Sequence, residues 1–123
     1  MGYGSKAMVP KCGEIWMCDI PATVGSVQQG IRPVFITSND LNNKFSPTVN
    51  YYPLTSKIKN DLPVHVRLTN YTEYGLSTES TILVEQPNTV PKDRLLRRLG
   101  EINDKQVLDR IRTAIIIQCP MLQ

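Results

Sequence analysis

Histidine and cysteine are scarce in this sequence, and long apolar runs are missing. His65 is the one histidine, so acid–base chemistry that needs two histidines of one chain is excluded. The three cysteines, Cys12, Cys18 and Cys119, cannot all pair and show no zinc-binding spacing. No uncharged apolar stretch approaches the roughly 18 residues of a membrane-spanning helix. We therefore expect reduced, mostly packed thiols in a cytoplasmic protein that does not insert into a membrane.

The signatures of several enzyme classes are also absent. The glycines at 25 and 30 do not form a P-loop, because no Lys-Ser/Thr follows the second glycine, and they do not form a dinucleotide-binding fingerprint. Ser26 has no recognisable partner base, so a hydrolase triad has no support. Carboxylates at metal-ligand spacing are missing. We predict neither a metal nor another cofactor.

The composition is that of a soluble globular domain. Of the 123 residues, 41% are hydrophobic and 20% are charged, and a chain of this length buries a core without a disulfide or metal staple. The net charge of +3 arises in residues 92–112, which hold seven basic and four acidic side chains. Such mild basicity permits polyanion binding without requiring it. We expect residues 1–8 to be a flexible lead and residues 9–123 to form a single domain.

The first two thirds of the chain predict β structure. Five β-favourable runs are separated by polar turns at residues 39–44, 56–61 and 70–76. The runs are residues 14–19, 33–38, 48–54, 62–68 and 80–86. Pro53 would remove a ladder hydrogen bond, which suggests an edge strand or a bulge. Five short strands at this spacing favour a small barrel or a strongly curved sheet.

The period becomes helical near the C-terminus. Asn103 resembles an N-cap, with Gln106 three residues further on as in a capping box. Apolar side chains then fall on one face, which predicts a helix over residues 104–118 that ends before Pro120. Residues 91–95 are expected to form a helical turn and residues 97–102 a further strand, so the fold class is mainly β with α (α+β). The broad apolar face of the helix favours self-association.

The segment between the first two predicted strands carries the strongest functional signal. Gly25 and Gly30 permit positive φ, so the segment can fold back on itself. Pro33 biases Arg32 toward an extended backbone and places it at the mouth of the next strand. A guanidinium in that position can hold a phosphate bidentately. The alternative is a surface arginine that pairs with a carboxylate.

Other candidate residues are weaker when each is taken alone. Thr55 and Ser56 end a strand, where hydroxyls commonly serve only as local caps. His65 lies in an alternating strand and could simply face solvent. Trp16 is a core residue or a base-stacking platform. The basic run of residues 92–98 is either a polyanion contact or a solvated face.

Taken in order, these motifs resemble the MazF/PemK family of toxins. The resemblance covers roughly Pro10 to Gln118. Each piece is short, but the order and spacing of the pieces together are specific. The matching pieces are residues 11–16, 25–26, 30–34, 39–40, 43–48, 54–56, 62–66 and 80–86.

The resemblance implies a fold, an activity and partners. The implied fold is an SH3-like small barrel with a C-terminal helix that forms homodimers. The implied activity is that of a type II toxin: metal-independent cleavage of single-stranded RNA at short motifs, blocked by a cognate antitoxin of MazE/PemI type. Attack by the ribose 2′-OH would leave a 2′,3′-cyclic phosphate (or 3′-phosphate) and a 5′-OH. The alternatives are a non-catalytic gyrase-poisoning toxin and a nucleic-acid-binding module on the same fold.

The resemblance also implies roles for individual residues. Arg32 and Thr55 match the active-site arginine and hydroxyl of the family. Residues expected near the substrate are Ser26, Gln28, Gly30, Ser56, His65 and Gln86. The chain departs from the family pattern at Val27, where many members carry Glu, and at Pro87-Asn88, where many carry an apolar residue and Arg.

Overall fold

A computed structural model describes residues 9–22, 29–57 and 62–122. Seven strands and two α-helices lie within these ranges, in the order β1 (Glu14–Ile20), β2 (Gly30–Ile36), α1 (Asp40–Phe45), β3 (Thr48–Thr55), β4 (His65–Leu68), β5 (Ser80–Leu83), β6 (Asn88–Pro91), β7 (Leu95–Glu101) and α2 (Lys105–Gln118). Short 3-10 segments occupy Tyr71–Tyr74, Lys92–Arg94 and Pro120–Leu122. The predicted lead, residues 1–8, lies outside the described residues.

The strands form one antiparallel sheet in the order β4-β5-β3-β2-β1-β7, and β6 pairs with β3. The α+β class is confirmed, but the barrel is not closed, because in the described ranges no pairing joins β7 to β4 or to β6. The turn at Lys92–Arg94 connects β6 to β7 and brings Arg94 to Asp19 of β1. The strands β7-β1-β2-β3-β6 therefore curl around a shared core without closing the ring of hydrogen bonds.

Pro53 lies in an internal strand, so the expectation of an edge strand is wrong. On one side of β3, β6 pairs with Thr48 to Tyr51 and β5 pairs with Leu54 and Thr55. Pro53 falls in the gap where the neighbour changes from β6 to β5. The missing N–H is tolerated because no pairing crosses Pro53 on that side of β3, whereas on the other side Pro53 still pairs with Val34 of β2.

Two cores lie on opposite faces of the sheet, because successive side chains of a strand point to opposite sides. Ile15 and Phe35 belong to the core that α2 covers with Val107, Ile111 and Ala114. The second core lies on the other face and contains Trp16, Cys18, Val34, Ile36, Val49, Tyr51 and Val90. Trp16 is thus a core residue and not a base-stacking platform.

Both α-helices begin at side-chain caps. Asp104, not Asn103, is the N-cap of α2, and its Oδ1 accepts a hydrogen bond from the Gln106 N–H at 2.9 Å. The helix ends at Gln118, as predicted. Helix α1 occupies a segment that was expected to be a turn; Asn39 Oδ1 caps it by accepting from the Asn42 N–H at 2.7 Å. Turn-forming and helix-capping residues are the same types, which explains the error.

The cysteines differ in exposure. Cys18 is buried in the second core, and burial, with a smaller effect of Asp19, raises the pKa of its thiol to about 12. Cys12 and Cys119 are exposed, so the expectation of mostly packed thiols is wrong for two of the three. Both lie outside the strands, before β1 and after α2. Among the described residues, no helix has the length and apolar character that a membrane crossing needs.

Candidate active site

A pocket of about 480 Å³ opens where β1, β2 and β7 meet the end of β3 and the segment 75–80. Its charged lining residues in the described part of the chain are all cationic: Arg32, Lys57 and Arg97. Hydroxyl groups make up much of the remaining polar wall, from Thr55, Ser56, Ser77, Thr78 and Ser80. Cations and hydroxyl donors together suit a phosphate, because all can donate hydrogen bonds and the cations balance its charge.

Arg32 lies in β2, where it pairs with Cys18 of β1. Its Nε–H donates to the carbonyl of Gln29 at 2.9 Å, which orients the guanidinium from the loop side. Gly30 adopts φ +87° and is exposed, as the predicted fold-back requires.

Thr55 ends β3 and is 8% exposed. Its Oγ1 accepts the backbone N–H of Lys57 at 3.2 Å. Because the oxygen is engaged as an acceptor, the hydroxyl hydrogen can point elsewhere and serve as a donor. Ser56 follows it, is exposed and lines the same pocket. The fold thus brings Arg32 and Thr55, from different strands, to one cavity.

Gly75 lines the pocket, and a close contact between Gly75 and Gly100 and the opposite backbone, which the sequence did not predict, holds it against β7. A Cβ at Gly75, which has φ +77°, would overlap the Leu99 carbonyl, and a Cβ at Gly100 would overlap the Tyr74 carbonyl. Two glycines therefore let the segment after Tyr74 lie directly on β7. Gly100 inside a predicted strand was the available signal, since glycine there often marks close backbone approach.

His65, which was predicted to lie near the substrate, is not among the residues that line this pocket. Its side chain is 6% exposed, so it does not face solvent either. Nδ1 accepts the Leu62 N–H at 3.2 Å, and Nε2 lies 3.0 Å from Glu85 Oε2. Since Nδ1 accepts, the neutral ring carries its proton on Nε2 and donates to Glu85. The ring lines a second depression with Asp109, Arg110 and Thr113.

Of the other residues predicted to lie near the substrate, one lies beside the pocket, one does not line it, and two lie outside the described residues. Gly30 is at the mouth of β2 and next to the lining residue Ile31. Gln86 is half-buried after β5, where its N–H donates to the Leu83 carbonyl at 3.1 Å, and it is not part of the pocket wall. Ser26 and Gln28, with Val27, lie outside the described residues.

A buried carboxylate fixes β1 against β7 beside the site. Glu14 Oε2 accepts from Arg98 Nε at 2.7 Å, while Oε1 accepts from Trp16 Nε1 at 2.9 Å and from the Lys11 N–H at 2.8 Å. Burial raises the pKa of Glu14, but the three hydrogen bonds outweigh burial and the net pKa is lowered. The same pair raises the pKa of Arg98. Glu14 is therefore an ionised structural anchor.

The fold and the pocket define a small β-sheet protein with a C-terminal helix and a site of phosphate-binding character. Comparison with protein families makes this specific: the family described as PemK-like, MazF-like toxin of type II toxin-antitoxin system matches residues 11–119. The chain belongs to this family.

Individual relatives agree with this assignment. The chain is 35% identical over 116 residues to Endoribonuclease EndoA of Bacillus subtilis, covering 94% of the chain and 98% of that protein. It is 41% identical over 96 residues to Endoribonuclease MazF of Staphylococcus saprophyticus, covering 77% and 79%. Its fold resembles the crystal structure of MazE-MazF (Form-II) from Deinococcus radiodurans with a TM-score of 0.72, at 23% identity over 93% of the chain and 98% of that chain.

Proposed function

We propose that this protein is the toxin of a type II toxin–antitoxin system and that it cleaves single-stranded RNA as a sequence-specific endoribonuclease. The observation that carries the proposal is the convergence of Arg32 and Thr55 on one pocket whose described charged residues are all cationic. The relatives named endoribonucleases support the same activity. We further propose that it acts in the cytoplasm, where messenger RNA is its substrate.

The pocket suits transesterification at one phosphodiester. The ribose 2′-OH attacks the adjacent phosphorus, the 2′-O–P bond forms, and the P–O5′ bond breaks. Arg32 neutralises the charge that builds on the non-bridging oxygens, and the Thr55 hydroxyl donates to one of them. The products are a 2′,3′-cyclic phosphate, which can hydrolyse to a 3′-phosphate, and a 5′-OH. No metal ion takes part in this scheme.

Proton transfer follows from which side chains line the pocket. The described wall holds no carboxylate and no imidazole, and His65 is engaged elsewhere. A guanidinium hardly deprotonates, so Arg32 acts through charge and not as a base. We assign solvent water as the acceptor of the 2′-OH proton and as the donor to the leaving 5′-oxygen.

The partners follow from the same surface. A cationic cleft suits single-stranded RNA through phosphate contacts. It also suits an acidic, extended or helical tail of a MazE/PemI-like antitoxin, which would block the cleft. The related Deinococcus radiodurans structure holds MazE with MazF, which supports an antitoxin partner here. We also propose that the toxin is a homodimer.

The test is cleavage of a long mixed-sequence RNA by the purified protein in EDTA. We expect discrete fragments with 5′-OH ends, and an Arg32→Ala rate lower by at least about 100-fold, because a transition-state donor is lost. Arg112→Ala is the matched control, since Arg112 is exposed on α2 and pairs with Asp109. Intact RNA with wild-type protein would overturn the proposal. Growth arrest with trapped gyrase and no RNA cleavage would favour the gyrase-poisoning alternative.

A further inference from the structure

The basic run of residues 92–98 contains four cations, and the fold gives three of them internal partners. Lys92 Nζ donates to the carbonyls of Asn43 at 2.9 Å and Lys44 at 3.4 Å, where it stabilises the end of α1. Arg94 pairs with Asp19 at 3.4 Å. Arg98 pairs with Glu14 at 2.7 Å and with Glu101 at 3.2 Å. These three residues serve the fold.

Arg97 is the exception among the four. In the described part of the chain its guanidinium has no ion pair or side-chain hydrogen bond. The residue is exposed and lines the pocket that contains Arg32 and Thr55. The register explains why neighbours in sequence behave differently. Arg97 pairs with Met17 and Arg98 with Trp16, so the two arginines project to opposite faces of β7.

The sheet holds Arg97 at a fixed place relative to Arg32. Met17 of β1 pairs with Arg97 of β7 on one side and with Pro33 of β2 on the other. Arg97 and Arg32 therefore approach the pocket from strands on either side of β1. The bond from Arg98 to Glu14 fixes the register of β7 next to Arg97. Lys57 adds a third cation from the end of β3.

We propose that Arg97, assisted by Lys57, binds a second phosphate of the RNA, one that flanks the phosphate held at Arg32 and Thr55. This inference rests on the proposed endoribonuclease function. A pocket of about 480 Å³ exceeds the volume of one phosphate group. Its cations come from separate segments of the chain: Arg32 from β2, Arg97 from β7 and Lys57 from the residues after β3. A phosphate away from the reacting bond carries the same charge before and during the reaction. Arg97 would therefore stabilise the bound substrate and the transition state equally, which makes it a substrate-positioning residue.

Salt-dependent binding tests this assignment. The probe is an oligonucleotide with the sequence around a mapped cut site and a 2′-deoxy sugar at the cut, which removes the nucleophile. We expect Arg97→Gln to reduce the slope of log K against log salt by about 0.7, the value for one phosphate contact to a single strand, which is about fivefold in affinity at 0.1 M salt. The cleavage rate at saturating RNA should stay near that of wild type, so that KM changes and kcat does not.

Two variants serve as controls. Arg97→Lys keeps the charge and should retain most of the salt slope. Arg94→Gln removes the same charge from the same run but outside the pocket, and it should change the slope much less. The inference would be overturned if wild type and Arg97→Gln had equal salt slopes. It would also be overturned if Arg97→Gln and Arg94→Gln reduced the salt slope by the same amount.

The outcomes separate this inference from the function on which it rests. If wild-type protein cleaves RNA while Arg97→Gln binds RNA normally, the inference alone fails. If wild-type protein cleaves no RNA, the proposed function fails as well. Loss of binding only to an acidic antitoxin peptide, with the RNA slope unchanged, would assign Arg97 to antitoxin binding and would also overturn the inference.

Discussion

Single hydrogen bonds determine which charged residues of this protein can act on a ligand. Arg98 and Arg97 are adjacent in sequence, but Arg98 is bound to a buried carboxylate and Arg97 faces the pocket. The glycine-proline context of Arg32 is a local signal that made it a candidate from the sequence, whereas Thr55 became one only through the resemblance to the MazF/PemK family. The sequence could not separate the members of the basic run, because their partners Asp19, Glu14 and Asn43 are distant in sequence.

The carboxylate of Glu14 predicts an acid-dependent stability. Its folded-state pKa is lowered, so its contribution to the free energy of unfolding is present above the unfolded-state pKa of about 4.3 and is lost as pH falls through the folded-state pKa. Glu14→Gln should cost about 1–3 kcal/mol at pH 7, because Arg98 loses a charged partner. The difference in free energy of unfolding between wild type and Glu14→Gln should become smaller as the pH falls.

Urea unfolding between pH 3 and 7 measures this effect. Glu101→Gln is the matched control, since Glu101 is exposed and binds the same arginine at the longer distance of 3.2 Å. A gap between wild type and Glu14→Gln that stays constant across this pH range would contradict the account.

At the scale of elements, the sequence predicted those strands and helices whose own residues favour the observed structure. It failed for elements whose conformation depends on pairing with another part of the chain. The strand β1 was predicted from a run of β-favourable residues and the helix α2 from a 3.6-residue period, and both are present. Strand β6 was missed because residues 88–91 carry little β signal and owe their conformation to pairing with β3. Helix α1 was expected as a turn, since its six residues are mostly polar. The open sheet differs from the expected barrel because closure depends on whether the two edge strands pair with each other. The sequence of a single strand does not contain that information.

The contact of Gly75 with β7 predicts a stability difference between two glycines. Gly75→Ala should lower the free energy of unfolding by at least about 2 kcal/mol, because alanine is strained at positive φ and its Cβ would overlap the Leu99 carbonyl. Gly30→Ala is the matched control: it also has positive φ, but no atom lies within 4 Å of the added Cβ. Gly30→Ala should lower the free energy of unfolding by only about 1 kcal/mol. Denaturant midpoints measure both, and equal losses would show that the close contact does not matter.

At the scale of the whole molecule, the exposed apolar side chains predict self-association. Leu41 and Phe45 are 71% and 72% exposed and lie one turn apart on α1. Side chains of this size are usually covered when they lie together on a surface. Light scattering at micromolar concentration should therefore give twice the mass of a single chain. A single-chain mass at that concentration would contradict the proposed homodimer.

The central claim is that Arg32 and Thr55 act on the same phosphate, and a double-mutant cycle tests it most directly. Single-turnover cleavage of a mapped RNA oligonucleotide in EDTA would be measured for wild type, Arg32→Ala, Thr55→Val and the double variant. Each single change should slow cleavage by about 100–1,000-fold, as expected for loss of one transition-state donor. The double variant should lose much less than the product of the two, because the residues act as a unit. A fully multiplicative loss, or a Thr55→Val variant as fast as wild type, would contradict the account.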